Sequence, residues 1–285
     1  MRRIITLLLF LGQLCCWAFP AAAQVQVVSS IKPLQLIAAA VTEGISSPAL
    51  VIGPGQDPHH LSLRPSERRT LATADVLLWV GPLLEQELSD IIESSDAEVI
   101  SSFALLQAAG RDMGENIDPH IWLSTQHARL IAQVLARRLQ AVDAPNRAAY
   151  ANNLNRFLLA MDELDGQISE KLEGLQESPF AVYHNAFWYF EQQFGLSHLV
   201  SVTDNEELQP GVRKILQIRQ ALEEAGANCL LIQPQHKPQE LGQLLGRSMY
   251  MTSIDVLGYD YPVSSRAYAD FMRDLSEALA GCLSA

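Results

Sequence analysis

Short apolar runs alternate with helical patterns along nearly the whole chain, and one long helical pattern, Asn146 to about Leu175, interrupts that alternation in the middle. A strand that is apolar along its length needs both faces covered, and regular strand–helix alternation is how parallel sheets achieve this. Ahead of the interruption the strand-like runs are Val25 to Ser29, Ala49 to Ile52, Val76 to Val80 and Glu98 to Ser101. Helical periodicity falls on Pro33 to Thr42, closed by Gly44, on Leu84 to Ile92 and on Gln126 to Leu139, while Phe103 to Asp118 reads as irregular. The long pattern carries few helix breakers and spans roughly 45 Å at 1.5 Å per residue. Beyond it the grammar restarts, with strands at Phe180 to Tyr183, Leu199 to Val202, Cys229 to Ile232 and Met249 to Ile254. Helices follow at Phe187 to Gln193, Pro210 to Ala225, Gln239 to Gly246 and Arg266 to Leu279. The expectation is an α/β protein with two Rossmann-like lobes, each holding a small parallel sheet. The lobes occupy residues 24–144 and 176–285, and a rigid backbone helix over 145–175 joins them, leaving a cleft between.

Residues 1–23 read as a cleavable secretory signal: Arg2 and Arg3 precede the apolar run Ile4 to Leu11, and Ala21-Ala22-Ala23 offers a small-residue cleavage site. The uninterrupted apolar run is too short to span a bilayer, which takes roughly 20 residues. Gln13-Leu14 ahead of Cys15 and Cys16 lacks the small residues of a lipoprotein site. The mature chain is expected to begin near Gln24, and export places it in the periplasm. Removing the signal takes the formal charge from −12 to −14, because two arginines and no acids are lost. Such an acidic chain has no basic surface to neutralise a phosphate backbone, so nucleic acid is excluded as a partner. Cys229 and Cys282 remain as an even pair in an oxidising compartment, where a disulfide is the default. The chain-entropy model gives such a bridge about 4 kcal/mol.

Seven histidines occur, and three of them sit where ligands bind in open α/β sheets, beyond the carboxyl ends of strands. His59 lies in Gly53-Pro54-Gly55-Gln56-Asp57-Pro58-His59, His120 in Asp118-Pro119-His120-Ile121-Trp122, and His184 directly after the strand Phe180 to Tyr183. Asp255, after the strand ending at Ile254, is the fourth candidate, so that each lobe supplies two side chains. Three neutral imidazoles and one carboxylate suit a tetrahedral borderline metal, zinc first, whereas manganese prefers more oxygen. Protons should compete for such ligands below about pH 6. His127 and His198 read as structural or exposed, His60 as a surface neighbour of the site, and His236 as a loop residue that is not a ligand. No His-Glu-x-x-His segment supports the alternative of a zinc hydrolase.

Ser30-Ile31-Lys32-Pro33-Leu34, Gly55-Gln56-Asp57-Pro58-His59 with Arg64-Pro65-Ser66-Glu67, Asp118-Pro119-His120-Ile121-Trp122 and Gln209-Pro210-Gly211 together resemble the solute-binding proteins of bacterial ABC-type zinc and manganese importers, most of all the zinc-specific ZnuA type. The resemblance runs through the whole mature chain in order. It implies two α/β lobes on a long backbone helix, with the metal in the cleft held by His59, His120 and His184. Manganese-selective relatives typically carry glutamate at the position of His184, so histidine there favours zinc. Asp255 matches an aspartate that completes the site in several relatives, while others leave that position to water or another carboxylate. Cys229 and Cys282 match a disulfide of zinc-type members. The implied partners are an inner-membrane ABC permease with its ATPase, and a periplasmic zinc metallochaperone is a candidate loader. The chain is expected to act as a monomer and not as an enzyme, with one Zn²⁺ as cargo. A manganese receptor or an adhesin of the same family stands as the alternative. Zinc-type members often carry a loop rich in histidine and acid, whereas Leu105 to Ile117 here contains no histidine. A thiol assay on the unreduced mature protein is expected to find no reactive thiol, and two reactive thiols would refute the bridge.

Overall fold

The computed structural model describes residues 24–114, 117–203 and 210–285, so the signal segment 1–23 lies outside the described residues. The first half of the chain runs β1 (Val27–Ser29), α1 (Lys32–Thr42), β2 (Ala49–Leu50), α2 (Pro65–Ala72), β3 (Val76–Trp79), α3 (Ser89–Glu93), β4 (Glu98–Ser101), α4 (Ser102–Ala108) and α5 (Thr125–Val142). The long α6 (Arg147–Lys171) follows. The second half runs β5 (Phe180–His184), α7 (Trp188–Phe194), β6 (Val200–Thr203), α8 (Val212–Glu224), β7 (Cys229–Ile232), α9 (Pro238–Leu245), β8 (Tyr250–Ser253) and α10 (Ala267–Leu283). The strands form two four-stranded parallel sheets in the orders β2-β1-β3-β4 and β6-β5-β7-β8. Strand for strand these orders are the same, a structural repeat that the residues themselves barely reveal.

The period-2 alternation of the second sheet assigns its residues to two different apolar layers. Phe180, Val182, Cys229 and Leu231 join a large core that also contains Val28, Leu77, Leu34, Leu135 and Phe157 from the first half. Ala181, Leu230 and Ile232 face the other way, onto Ile215, Ile218 and Leu222 of α8 and Leu241 and Leu245 of α9. The covering element on the inner face is α10, which packs on β7 and β8 and also on α1 and α6. One apolar layer therefore passes from the first sheet to the second without a polar break.

Helix α6 buries Tyr150, Asn153, Phe157, Met161, Leu164 and Ile168, spaced three or four apart along one stripe. That stripe lies on α1, α5 and α10. Asn153 sits on the stripe without cost because its Nδ2 donates to the carbonyls of Val41 (2.9 Å) and Glu43 (2.8 Å), both at the end of α1. At 25 residues the helix is about 37 Å long at 1.5 Å per residue. The bridge between Cys229 of β7 and Cys282 of α10 is formed.

Three local readings are corrected. The stretch that reads as irregular from Phe103 contains α4, opened by the Ser101 hydroxyl accepting from the Ala104 amide and followed by Gly110 at φ +69°. The helix expected from Leu84 to Ile92 is only a 3-10 turn, Gln86–Leu88, and the five residues of α3. There Glu85 is wholly buried, where its carboxyl accepts from the Gly81 amide (3.0 Å) and from the Ser30 hydroxyl. Burial raises its pKa to about 7. This contact ties the carboxyl ends of β1 and β3 together and bends the chain out of helical register. Finally, α2 forms where no helical periodicity announces it, although Pro65 at its start and Glu67 reaching back to the Arg64 amide (2.6 Å) are ordinary helix-opening signals.

Phe157 is 3% exposed and lies 6.0 Å from the Tyr268 ring of α10. Phe157→Ala is expected to cost about 3–5 kcal/mol in denaturant unfolding. A loss below about 1 kcal/mol would make α6 an external strut and not part of the core.

Candidate metal centre

His59 follows β2 in a loop shaped by two side-chain contacts. Gln56 Oε1 accepts from the Gly53 amide (2.8 Å), and Asp57 Oδ1 accepts from the His59 amide (2.9 Å). His120 precedes a 3-10 turn, Ile121–Leu123, that leads into α5, whose first turn is capped by Ser124 accepting from the His127 amide at 3.3 Å. His184 is the last residue of β5, in register with Thr203 of β6. Two of these histidines therefore come from one lobe and one from the other.

Their rings converge. Ring centroids lie 5.5 Å apart for His59 and His120, 6.2 Å for His59 and His184, and 4.9 Å for His120 and His184. One nitrogen from each ring lies within 4.8 Å of the others. His120 Nε2 and His184 Nε2 are 3.1 Å apart. Two nitrogens bound tetrahedrally to one zinc at about 2.0–2.1 Å stand about 3.3 Å apart, so this pair needs little adjustment to share an ion. His120 Nδ1 contacts Asp118 Oδ1 at 2.6 Å. With the proton on Nδ1, the Nε2 lone pair is directed into the cluster.

Burial, reinforced by the neighbouring imidazoles, lowers His59 to about 4 and His184 to about 3. Both are neutral at pH 7, which is the form that binds a metal. For these two side chains the onset of proton competition moves from the expected pH 6 down toward 4.

Asp255 is placed differently. It lines the same cavity, of about 610 Å³, as His59 and His120. Among the described residues, however, the group of mutually close donors consists of the three histidines alone. Its carboxylate is occupied by its own loop, accepting from the amides of Leu257 (2.9 Å) and Tyr259 (2.7 Å). The other histidines have separate roles. His127 is buried, with Nδ1 3.1 Å from the Ile121 carbonyl, and burial lowers it to about 4. His198 pairs with Glu191 at 2.7 Å, His236 stacks on Tyr183 at 3.7 Å between centroids, and His60 lies 3.5 Å from Asp57 at the surface.

Tyr189 and Tyr259, which sequence reasoning did not single out, hold the two walls in place together with Trp122 of the Asp118–Trp122 segment. Trp122 Nε1 donates to the Val256 carbonyl (2.7 Å), Tyr259 to that of Ile52 (3.1 Å), and Tyr189 to that of Asp118 (2.7 Å). These partners are 134, 207 and 71 residues apart, beyond the reach of any local signal.

Two parallel α/β lobes on a long helix, with a cluster of imidazole donors where they meet, define a two-lobed solute-binding protein. A family model described as "ZnuA: Zinc-uptake complex component A periplasmic" matches residues 27–282. The chain belongs to that family. It is 30% identical to the "High-affinity zinc uptake system protein ZnuA" of Yersinia pestis, over 92% of each chain. Among solved structures, the "Crystal structure of ZnuA" superposes with a TM-score of 0.77 at 20% identity, over 91% of this chain and 99% of that one. The SBP FpvC of Pseudomonas aeruginosa in complex with Mn²⁺ gives 0.77 at 17% identity, over 92% and 98%. At such identities the superpositions speak to fold alone. Among the described residues no helix is long and apolar enough to cross a membrane.

The depressed histidines give the metal-free protein a defined pH dependence. Unfolded, His59 and His184 titrate near 6.5, whereas folded they titrate near 4 and 3. Between those values the unfolded state binds more protons, so their contribution is complete above about pH 6.5 and is lost as pH falls. The Tm of the chelator-stripped protein should drop from pH 7 to 5, and less steeply in a His59→Gln/His184→Gln variant. Equal slopes would place the acid sensitivity elsewhere.

Proposed function

We propose that this chain is a high-affinity zinc receptor of the periplasm, which captures Zn²⁺ between its lobes and passes it to an ABC permease driven by an ATPase. The observation that carries the reading is the convergence of three imidazoles from both lobes, His120 and His184 buried and His59 half-buried, with their nitrogens within 4.8 Å of one another. His59, His120 and His184 are the ligands, with Asp255 or a water completing a tetrahedral set. Asp255 lines the same cavity as His59 and His120, its carboxylate accepting one loop amide on each oxygen. An all-imidazole triad favours zinc over manganese, which prefers oxygen donors. The two lobes are residues 24–144 and 176–285, hinged on the helical segment 145–175, and residues 1–23 are the export signal. The receptor acts as a monomer, carries one zinc and catalyses no reaction, and a periplasmic metallochaperone is the candidate loader.

Competitive titration of the mature, chelator-stripped chain, with the stoichiometry taken from elemental analysis, tests this directly. One tightly held zinc that manganese does not displace is expected. His59→Ala, His120→Ala and His184→Ala should each weaken it about a thousandfold or more, equivalent to about 4 kcal/mol. Parental affinity in all three variants, or a preference for manganese, would overturn the assignment.

A further inference from the structure

Asp118 is 7% exposed. Its Oδ1 takes two contacts from the same neighbour, the His120 amide at 2.9 Å and the His120 Nδ1 at 2.6 Å. Among the described residues, its Oδ2 is buried with no hydrogen-bond partner, and no lysine or arginine forms an ion pair with this carboxylate. The backbone contact alone is what an aspartate does when it closes a turn over the next two residues. That role leaves the second oxygen unexplained. Leaving a carboxylate oxygen bare in the interior is costly, and an asparagine would accept from the same amide and ring nitrogen without the charge. Among the described residues, this carboxylate therefore receives donors at only one of its two oxygens. It lies directly behind the imidazole whose far nitrogen stands 3.1 Å from that of His184.

We infer that Asp118 is a positioning residue of the metal site: it holds His120 with its proton on Nδ1, so that Nε2 faces the cleft, and it supplies a buried negative charge that the captured cation offsets. The inference rests on the zinc-receptor reading and deepens it. It assigns to this residue a bias toward the loaded state. A bound dication offsets that charge, so the same group that stabilises the loaded protein burdens the empty one. A residue that only caps the turn would stabilise both states alike.

Two substitutions separate the parts of the role. Asp118→Asn keeps an acceptor for the ring nitrogen and removes the charge. With Zn²⁺ as the only added ligand and a chelator as competitor, it is expected to weaken binding about tenfold at unchanged stoichiometry. Its metal-free form should unfold at or above the parental temperature. Asp118→Ala removes the acceptor as well; it should weaken binding about a hundredfold, and long-range ¹H–¹⁵N spectra should show His120 losing its Nδ1–H preference. Parental zinc affinity in Asp118→Asn, or a metal-free Asp118→Asn that melts below the parent, would overturn the charge role. A His120 that keeps its proton on Nδ1 in Asp118→Ala would overturn the positioning role. If the parent itself held no zinc tightly, the receptor reading would fall, while the metal-free melting and the His120 spectra would still decide what Asp118 does.

Discussion

The buried stripe of α6 lies on α1 and α5 on one side and on α10 on the other, and α10 in turn covers the inner face of the second sheet. Opening the two lobes fully would have to expose part of this shared apolar layer to water, at about 25 cal/mol for each Å². The geometry of the cleft follows from that constraint. His59 and His120 are carried by loops on one side of the layer and His184 by a strand end on the other, so their spacing is inherited from the packing beneath them. The hydrogen bonds of Trp122, Tyr189 and Tyr259 to backbone carbonyls across the cleft add direction to what the core enforces by shape. A closed, pre-spaced donor set of this kind spends little conformational entropy when it captures an ion.

The same burial that spaces the imidazoles also keeps them deprotonated. Desolvation is the leading cause of the low values of both His59 and His184, and the imidazoles reinforce one another's neutrality. The folded empty protein therefore gives up some stability to hold polar groups ready in an interior that would favour apolar ones. Binding an ion returns that stability through linkage, because only the folded state presents the three donors together.

Much of this was legible in the residues because it depends on short-range patterns. The strands β4 and β7 stand where their apolar runs placed them, and α6 follows from a periodic stripe without breakers. The positions of His59, His120 and His184 after strands or in loops drew attention to them, and the structure brings their rings together. Misreadings arose where tertiary contacts outweighed local pattern. Glu85 has the polarity of a surface helix residue, yet it is drawn inward to Ser30 and Gly81, which no periodicity encodes. Helix α2 buries only Glu67 and Leu71, so it has almost no apolar stripe to read, and only its capping residues announce it. The two-residue step from Asp118 to His120 was visible as a motif, but the bare second oxygen of that carboxylate could be seen only in three dimensions.

The placement of α10 bears on how such a chain acquires its structure. This helix, the last of the described elements, packs against α1, the first of the described helices. The first sheet's layer thus cannot be completed until the final residues are available, and the order in which the polypeptide emerges is not the order in which it can fold. Contacts so distant in sequence slow folding, because the chain must close a very long loop before they repay its entropy. A polypeptide emerging from its amino terminus would stay short of this core until α10 had followed, and the bond between Cys229 and Cys282 locks that closing helix onto β7 only once both are in place.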